Sequence, residues 1–274
     1  MYKIESYEQI QNFVNNIREL RKGFVTNFYW DDNKHSYWIA AGTLEFAQSP
    51  ECIIMVHQCK QFTNLYYIAT SLSAFGELLN RLNIEGTLVV DIVCKGDGEI
   101  IQKEFTNMGF TKYKHLYRMT HVGRITKTDW EQDPRVKNGD KTDALMVYSI
   151  LQKDFDPLAE QLPSLKELED FADKNQLLVI KDNNTICGFL IYELTGFTWY
   201  LRYWYTSPDY RNKGIGSGLL KTSLLYGVET KRQIFWVIAD NVNAIKRYEH
   251  YGFSRENMND YVMIKIKKNE RESN

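Results

Sequence analysis

Glycines and basic residues are concentrated between residues 205 and 220, where the sequence reads YTSPDYRNKGIGSGLL. The glycines are Gly214, Gly216 and Gly218, and the basic residues are Arg211 and Lys213. Glycine has no Cβ and tolerates positive φ, so this backbone can approach a ligand closely. The N–H groups at the start of a helix attract anions, and two neighbouring cations strengthen that attraction. The stretch therefore predicts a phosphate-binding loop, and residues 211–218 are termed the cradle.

The elements around the cradle identify its type. An aromatic run at residues 199–206, WYLRYWYT, predicts a strand before it, and an apolar helical pattern follows it. Neither G-x-G-x-x-G nor G-x-x-x-x-G-K-[ST] is present, so dinucleotide-binding and P-loop interpretations lose their main support. The cradle instead reads R-x-x-G-x-G, and residues 241–253, NVNAIKRYEHYGF, fit N-x-x-A-x-x-x-Y-x-x-x-G-F. In their order and spacing, the two patterns resemble motifs A and B of the GNAT family of N-acetyltransferases.

The resemblance implies transfer of an acetyl group from acetyl-CoA, a cosubstrate used without a metal, to a primary amine by direct attack in a ternary complex. It implies that the next strand, residues 233–239, splays away from residues 199–206 and leaves an edge for the pantetheine amides, which pair there as an added strand would. The cradle would surround the pyrophosphate, and Asn241 would help to hold the pantetheine arm. The cofactor-binding residues so implied are Trp204, Tyr205, Thr206, Arg211, Asn212, Lys213, Gly214, Ile215, Gly216, Ser217 and Asn241.

A general base is needed, because a free alkyl amine has a pKa near ~10 and is mostly protonated at neutral pH. Many members of the family carry a glutamate on the strand before motif A, whereas residues 199–206 contain no carboxylate. Glu193, on the preceding strand, is the nearest candidate in the sequence. A chain of water molecules and Tyr203 remain as alternatives.

Tyr248 is the tyrosine of the second motif. The resemblance implies that it is the general acid that protonates the departing CoA thiolate. The alternative is a core tyrosine with a satisfied hydroxyl, because Ala244, Ile245 and Tyr248 share a helix face.

Residues 199–206 alternate as a strand does, which predicts one set of side chains on each face. One face would carry Trp199, Leu201, Tyr203 and Tyr205, and the other would carry Tyr200, Arg202 and Trp204. Core packing between two layers is one interpretation of these aromatic residues. The other is an aromatic acceptor site that includes Tyr203, in which Arg202 binds a carboxylate of the substrate.

The order strand, helix, strand, helix, Gly-Phe, strand occurs twice in the chain. The sequence F-x-x-x-G-F at residues 105–110 matches Y-x-x-x-G-F at residues 248–253. This repeat indicates an internal duplication. Where the second copy has RNKGIG, the first has IATSLS at residues 68–73, without glycines or cations. The first copy is therefore predicted to be degenerate, as in a tandem form of the family, and only the second is expected to bind acetyl-CoA.

The repeat and a polar stretch between its copies predict two domains. Residues 1–126 form a degenerate GNAT-like domain, residues 127–143 a linker, residues 144–268 an acetyl-CoA-binding GNAT domain, and residues 269–274 a flexible tail. The predicted fold class is α/β with mixed sheets. Each domain has a mostly antiparallel twisted sheet flanked by helices, and two central strands of the C-terminal sheet splay apart. In the N-terminal domain, the β-prone residues 37–41, YWIAA, predict a short strand.

The composition is typical of a soluble globular protein, with 43% hydrophobic and 25% charged residues. The formal net charge of −1 gives no reason to expect a nucleic acid or a membrane as a partner. The four cysteines have no C-x-x-C spacing and predict reduced thiols rather than a metal site. Because the chain starts without a signal-peptide pattern, a cytoplasmic location is expected.

Two functions stay open at this point. The first is an acetyltransferase acting on an amine of a small molecule, an amino acid or a peptide, and Tyr248 favours it. The second is a non-catalytic acetyl-CoA-binding regulatory module of the same fold, and the missing strand carboxylate favours it. The amine acceptor is the expected partner of the enzyme, and the sequence leaves both a monomer and a homodimer open.

Overall fold

The computed structural model describes residues 1–125 and 130–267. The predicted tail at 269–274, the start of the predicted linker at 127–129, and the predicted domain limits at 126 and 268 lie outside the described residues. Within the described ranges, no helix is long and apolar enough to span a membrane.

The chain forms two compact units. Unit 1 contains Met1–His115 and the chain from Asn259 onward, and unit 2 contains Leu116–Met258. The helices are α1 (Tyr7–Glu19), α2 (Asp32–Ala40), α3 (Leu72–Arg81), α4 (Glu99–Asn107), α5 (Lys141–Asp154), α6 (Leu165–Asp173), α7 (Ile215–Tyr226) and α8 (Val242–His250). The strands are β1 (Tyr2–Lys3), β2 (Val25–Thr26), β3 (Leu44–Ser49), β4 (Cys52–Gln58), β5 (Phe62–Ala69), β6 (Gly86–Lys95), β7 (Thr111–Val122), β8 (Lys137–Asn138), β9 (Leu177–Asp182), β10 (Thr185–Thr195), β11 (Thr198–Thr206), β12 (Arg232–Ile238) and β13 (Ser254–Lys267). A short 3₁₀ helix, Pro208–Tyr210, precedes α7.

In unit 1 the strand order is β1-β3-β4-β5-β6-β13, with β2 added beside β5. The sheet is buried on both faces, because apolar residues fill both sets of alternating positions in its central strands. In β4, Cys52, Ile54 and Val56 pack in a core with α3 and α4. Ile53 and Met55 pack in a second core with α1 and α2. Unit 1 is therefore a sheet between two layers of helices.

Helix α2 lies where the sequence predicts a strand at residues 37–41. Trp38 is buried in the same core as α1, and its ring stacks on that of His57 with the ring centres 3.7 Å apart. The ring nitrogen Nδ1 of His35, one turn into the helix, accepts a hydrogen bond from the backbone N–H of Asp31 at 2.9 Å. These tertiary and capping contacts outweigh the β propensity of tyrosine, tryptophan and isoleucine, so the predicted strand is wrong.

The parallel strands β5 and β6 pair over only three residue pairs and then part. Beyond that point, β2 pairs with β5. The buried Asn27 follows β2, and its Nδ2 donates to the carbonyl oxygens of Leu65 on β5 at 3.0 Å and of Asp91 on β6 at 3.3 Å. Its Oδ1 accepts from the backbone N–H of Tyr67 at 2.8 Å. Residues 25–27 therefore fill the gap between the two strands.

We expect Asn27→Ala to lower the free energy of unfolding by about 2–4 kcal/mol, because the substitution leaves buried backbone groups of both strands without a partner. Urea denaturation measures this loss. Asn107→Ala, at the exposed end of α4, is the matched control and should change stability by less than about 0.5 kcal/mol. An Asn27 variant as stable as this control would show that Asn27 does not hold the gap closed.

Unit 2 repeats the architecture of unit 1. Its strand order is β7-β12-β11-β10-β9-β8, and β11 with β12 is its parallel pair. From α5 to α8, unit 2 has two helices, three strands, a helix, a strand and a helix. Unit 1 has the same order from α1 to α4, apart from the additional short strand β2. This common order agrees with the predicted duplication. The mixed, mostly antiparallel sheets flanked by helices confirm the predicted fold class.

The last strand of each unit comes from an unexpected part of the chain. The sequence assigns residues 113–120 to the first copy and residues 261–267 to the second. In the structure, residues 116–122 of β7 pair antiparallel with β12 in unit 2. The part of β13 from Asn259 onward belongs to unit 1, whose sheet it extends next to β6. Unit 1 thus completes its sheet with part of β13, which the sequence order assigns to the second copy. Unit 2 completes its sheet with part of β7, which the sequence order assigns to the first copy.

Candidate functional site

The cradle connects β11 to α7 in unit 2. Two of its residues have left-handed backbone conformations, Asn212 with φ of 63° and Gly214 with φ of 75°. Gly214 directly precedes α7, and no side chain among the described residues caps this helix. The backbone N–H groups of its first turn are therefore open to a ligand, and anions are the ligands that such groups attract.

At each glycine of the cradle, a side chain would be sterically unfavourable for a different reason. Gly214 has the left-handed backbone that residues with a side chain disfavour. At Gly216, a Cβ atom would lie only 3.1 Å from the indole Cζ2 of Trp204. At Gly218, a Cβ atom would collide with the carboxylate of Asp133. Gly218 is not part of the pattern R-x-x-G-x-G, and its missing side chain leaves room for Asp133, which lies outside the motif.

The two basic residues of the cradle, Arg211 and Lys213, are exposed, and neither forms an ion pair with the described residues. The Nζ of Lys213 lies 4.5 Å from the centre of the Tyr210 ring. Ser217 accepts a hydrogen bond at 2.8 Å from the hydroxyl of Tyr251, a residue at a variable position of the second motif. The cradle therefore presents positive charge and an ordered hydroxyl beside the helix start.

Strand β11 has a free edge beside the cradle. It pairs in parallel with β12 over only three residue pairs, and the two strands then part. No strand of the described chain covers that edge over residues 201–206, in contrast to β5, which β2 covers. The predicted splay is therefore confirmed. Trp204, Tyr205 and Thr206 lie on this free part of the strand.

A β-bulge changes which side chains of β11 share a face. The register shifts between Ile191 and Tyr192 of β10, and Arg202 is the extra residue opposite this shift. Leu201 consequently packs in the core with α7 and α8, whereas Tyr203 packs in the core with α5 and α6. The predicted strict alternation, in which Leu201 and Tyr203 share a face, is therefore wrong.

Glu193, the nearest candidate base, is paired with Arg202, the candidate ligand of a substrate carboxylate. The Nε of Arg202 donates to Oε2 of Glu193 at 2.7 Å, and its guanidinium lies 4.6 Å from the centre of the Tyr200 ring. Glu193 is only 6% exposed. It lies opposite Tyr200, the last residue of β11 that pairs with β12. The structure thus joins the two candidates in a partly buried ion pair where the strands begin to part.

The hydroxyl of Tyr203 has partners between α5 and α6. It lies 3.0 Å from the carbonyl oxygen of Gln161 and 3.1 Å from that of Glu160, and it donates a hydrogen bond that these two oxygens share. Burial raises the pKa of Tyr203, so the phenol keeps its proton at neutral pH. A protonated phenol that already donates to the backbone cannot accept a proton from an amine.

Helix α8 carries Tyr248, and Asn241 directly precedes it. Tyr248 is 8% exposed, and its ring centre lies 4.1 Å from that of Phe235 and 5.5 Å from that of Trp204. Burial raises its pKa, so this phenol also keeps its proton. The side-chain oxygen of Asn241 accepts from the N–H of Ala244 at 3.2 Å and caps the helix. Tyr248 therefore shares a core with the cradle helix α7, on one side of the sheet.

A buried N–H group without a partner marks the place between the cradle and α8. The Nε1 of Trp204 has no hydrogen-bond partner among the described residues. Its indole lies against Gly216 and near Tyr248. An unpaired buried donor costs free energy that the carbonyl group of a ligand can recover. With the uncapped α7 and the free edge of β11, these residues fit a ligand that carries amide and phosphate groups, as acetyl-CoA does.

Asp133 and Arg135 also contact the cradle, and sequence reasoning misses both because they fall in the predicted linker. Arg135 pairs with Asp133 at 2.7 Å, and its Nη1 donates to the carbonyl oxygen of Lys213 at 3.2 Å. The backbone N–H of Asp133 donates to Oγ1 of Thr222 on α7 at 3.1 Å. Gly218 is the signal that could have revealed them, because a glycine at that helical position leaves room for a neighbour.

Comparison with known sequences matches only part of the chain. Residues 144–253 match the sequence model of the acetyltransferase (GNAT) family. No curated protein sequence matches the chain. The matched region holds the cradle, β11 and α8, all in unit 2.

Solved structures share the fold of the whole chain at low sequence identity. A tandem GNAT protein from the clavulanic acid biosynthesis pathway is 9% identical and has a TM-score of 0.62. The superposition covers 96% of this chain and 97% of that protein. An acetyltransferase of the GNAT family from Colwellia psychrerythraea is 12% identical, with 97% and 98% covered and a TM-score of 0.54. A GCN5-related N-acetyltransferase from Sphaerobacter thermophilus is 13% identical, with 88% and 95% covered and a TM-score of 0.53. At these identities the similarity shows the fold alone.

Proposed function

We propose that the protein is an N-acetyltransferase that transfers acetyl from acetyl-CoA to a primary amine, because residues 144–253 match the sequence model of the acetyltransferase (GNAT) family. The acceptor would be a small molecule, an amino acid or a peptide. The observation that carries the proposal is the uncapped start of α7 beside the free edge of β11.

Acetyl-CoA, when bound, supplies the acetyl group as a thioester. We infer that the first-turn N–H groups of α7, with Arg211 and Lys213, hold its phosphates by charge-assisted hydrogen bonds. The free edge of β11 pairs with the amides of the pantetheine arm as an added strand does. The residues assigned to this binding are Trp204, Tyr205, Thr206, Arg211, Asn212, Lys213, Gly214, Ile215, Gly216, Ser217 and Asn241.

Tyr248 is assigned as the general acid that gives its proton to the departing sulfur. Its ring is held against Phe235, and burial keeps the hydroxyl protonated at neutral pH, so the hydroxyl can donate to the sulfur as negative charge develops there. The proton that Tyr248 gives up is returned from solvent after CoA leaves. The indole N–H of Trp204, without a partner among the described residues, lies beside it and can donate to a carbonyl oxygen. These two groups together place a proton and a hydrogen-bond donor on one side of the splay.

Glu193 is assigned as the base for the amine. We expect Glu193→Gln to lower kcat/KM about 10–100-fold at pH 7, and we expect the deficit to shrink as the pH approaches ~10, where about half of the amine has already lost its extra proton. Rates measured from pH 6 to pH 10 test this. Glu229→Gln, in the exposed ion pair with Arg124, is the matched control. A deficit that stays constant over this range would mean that Glu193 only holds Arg202 in place.

A non-catalytic acetyl-CoA-binding module is the second candidate, and one observation favours it. Strand β11 carries no carboxylate, and Arg202 at its bulge forms a partly buried ion pair with Glu193. Such a module would bind acetyl-CoA through the cradle and the free edge but would offer no acceptor for the amine proton.

Two measurements on the full chain separate the candidates. Calorimetry measures acetyl-CoA binding, and detection of free thiol measures transfer to a panel of amines. The enzyme requires a single binding site, since the described part of unit 1 has no cradle, and it requires thiol release that depends on the amine. Binding without thiol release from any amine would favour the module, and absence of binding would refute both candidates.

A further inference from the structure

A cleft runs along α7, between the helix and residues 131–135, with a volume of about 430 Å³. Its helical wall consists of Gly214, Ser217, Gly218 and Lys221. These positions share one face of the helix and span about 10 Å along its axis. The cleft therefore begins within the cradle, at Gly214, and follows α7 for about two turns to Lys221.

Arg135 is fixed at this cleft. Its Nε and Nη2 donate to the carboxylate of Asp133 at 3.0 Å and 2.7 Å, and its Nη1 donates to the carbonyl oxygen of Lys213 at 3.2 Å. The hydrogen bonds from Arg135 lower the pKa of Asp133, so both members of the pair are charged at neutral pH. A guanidinium has more N–H groups than these contacts use, and all lie in one plane. The side chain is thus held in place while part of its donor capacity remains for a ligand.

The cleft has charges of both signs. Asp133 is compensated by Arg135, and the remaining charged residues of the lining are the exposed Glu131 and the half-buried Lys221. The Nζ of Lys221 lies 5.4 Å from the centre of the Trp130 ring. This balance suits a ligand with one phosphate and an uncharged remainder better than it suits a polyanion.

We propose that Arg135 binds the 3′-phosphate at the nucleotide end of acetyl-CoA, with the adenosine in the cleft along α7. This inference rests on the proposed function. With the pyrophosphate on the first turn of α7, the nucleotide end must continue from there, and a cleft that begins at Gly214 gives it a path. The planar fork of a guanidinium matches the oxygens of a phosphate group. Arg135 would thus be part of the cofactor site although it lies 78 positions before Lys213 in the sequence.

The test compares two ligands by calorimetry on the full chain, acetyl-CoA and acetyl-3′-dephospho-CoA. Arg135→Gln should weaken acetyl-CoA binding about tenfold, the loss expected for a hydrogen bond to a charged group at a half-exposed site, and should leave binding of the dephospho compound unchanged. Arg135→Lys keeps the charge without the fork and should show an intermediate loss. Arg124→Gln, an exposed arginine of the same unit, is the matched control and should bind both ligands as the unchanged protein does.

An equal loss for both ligands in Arg135→Gln, or no loss for either, would overturn the inference and leave the proposed function intact. If the unchanged protein bound neither compound, the proposed function itself would fall, and this inference with it. Thermal denaturation of each variant identifies a loss of affinity that comes from unfolding. If Arg135→Gln is unfolded, the comparison of the two ligands in Arg135→Lys decides between the same outcomes.

Discussion

Replacing Gly216 with aspartate is expected to weaken acetyl-CoA binding by at least about 100-fold while the protein stays folded. The added carboxylate would stand at the first turn of α7, where the pyrophosphate is proposed to bind. Two unit charges about 4 Å apart repel by about 4 kcal/mol at an effective dielectric constant near 20. The Cβ atom itself would lie 3.1 Å from Cζ2 of Trp204 and from Oγ1 of Thr206, so these side chains need to shift only slightly. Calorimetry measures the affinity, and thermal denaturation checks the fold.

Two further variants separate the charge from the volume at this position. Gly216→Ala adds the Cβ without the carboxylate and should lose far less affinity. Gly196→Asp adds the same charge in the turn at the other end of β11, where nothing lies within 4 Å of the new Cβ. Its φ of 56° is a conformation that aspartate tolerates. Equal acetyl-CoA affinity in Gly216→Asp and Gly196→Asp would show that the phosphates bind elsewhere.

Tyr248→Phe is expected to lower kcat by about 10–10³-fold with little change in acetyl-CoA affinity, within the span usual for general acid catalysis. The substitution keeps the ring contacts with Phe235 and Trp204 and removes only the hydroxyl. A thiolate leaving group has a pKa near ~8.5, judged from cysteine, so its protonation assists the reaction moderately rather than decisively. Steady-state and single-turnover rates measure the effect.

The pH profile gives a second check on Tyr248. Burial raises the pKa of this phenol, so its acid form persists as the pH rises, and no loss of activity below pH ~10 should belong to it. Tyr226→Phe, at the exposed end of α7, is the matched control and should leave kcat unchanged. An unaltered kcat in Tyr248→Phe, when chemistry is shown to be rate-limiting, would leave Tyr248 as a core residue only.

Local sequence predicts the repeated elements of this fold but not the sheet that each strand joins. Residues 113–120 and 261–267 are both β-prone and both follow a Gly-Phe pair, so their immediate surroundings do not distinguish the partners. Long-range pairing decides the matter and places residues 116–122 beside β12. The misassigned strand at residues 37–41 has a related cause, because burial of Trp38 depends on helix α1 and strand β4 rather than on its neighbours in sequence.

The candidate site divides in the same way. The cradle could be predicted because its glycines and cations all lie within eight residues and would act largely through the backbone of that short segment. The bulge at Arg202 could not be predicted, since it depends on the register between β10 and β11. Arg135 could not be predicted either, because it reaches Lys213 across 78 residues from a stretch whose polar composition indicates a linker.

The placement of β13 has a consequence for the order in which a ribosome delivers the parts of this chain. Unit 1 contains Met1–His115 and also the part of β13 from Asn259 onward, so its sheet cannot be complete before that part of β13 has been synthesised. At about 5–20 residues per second, roughly 7–30 s separate the two parts. During that time β6 has an unpaired edge, of the kind that recruits strands from other chains. The segment Met1–His115 is translated before unit 2 but therefore finishes folding only after β13 has been synthesised, and its exposure to aggregation lasts until then.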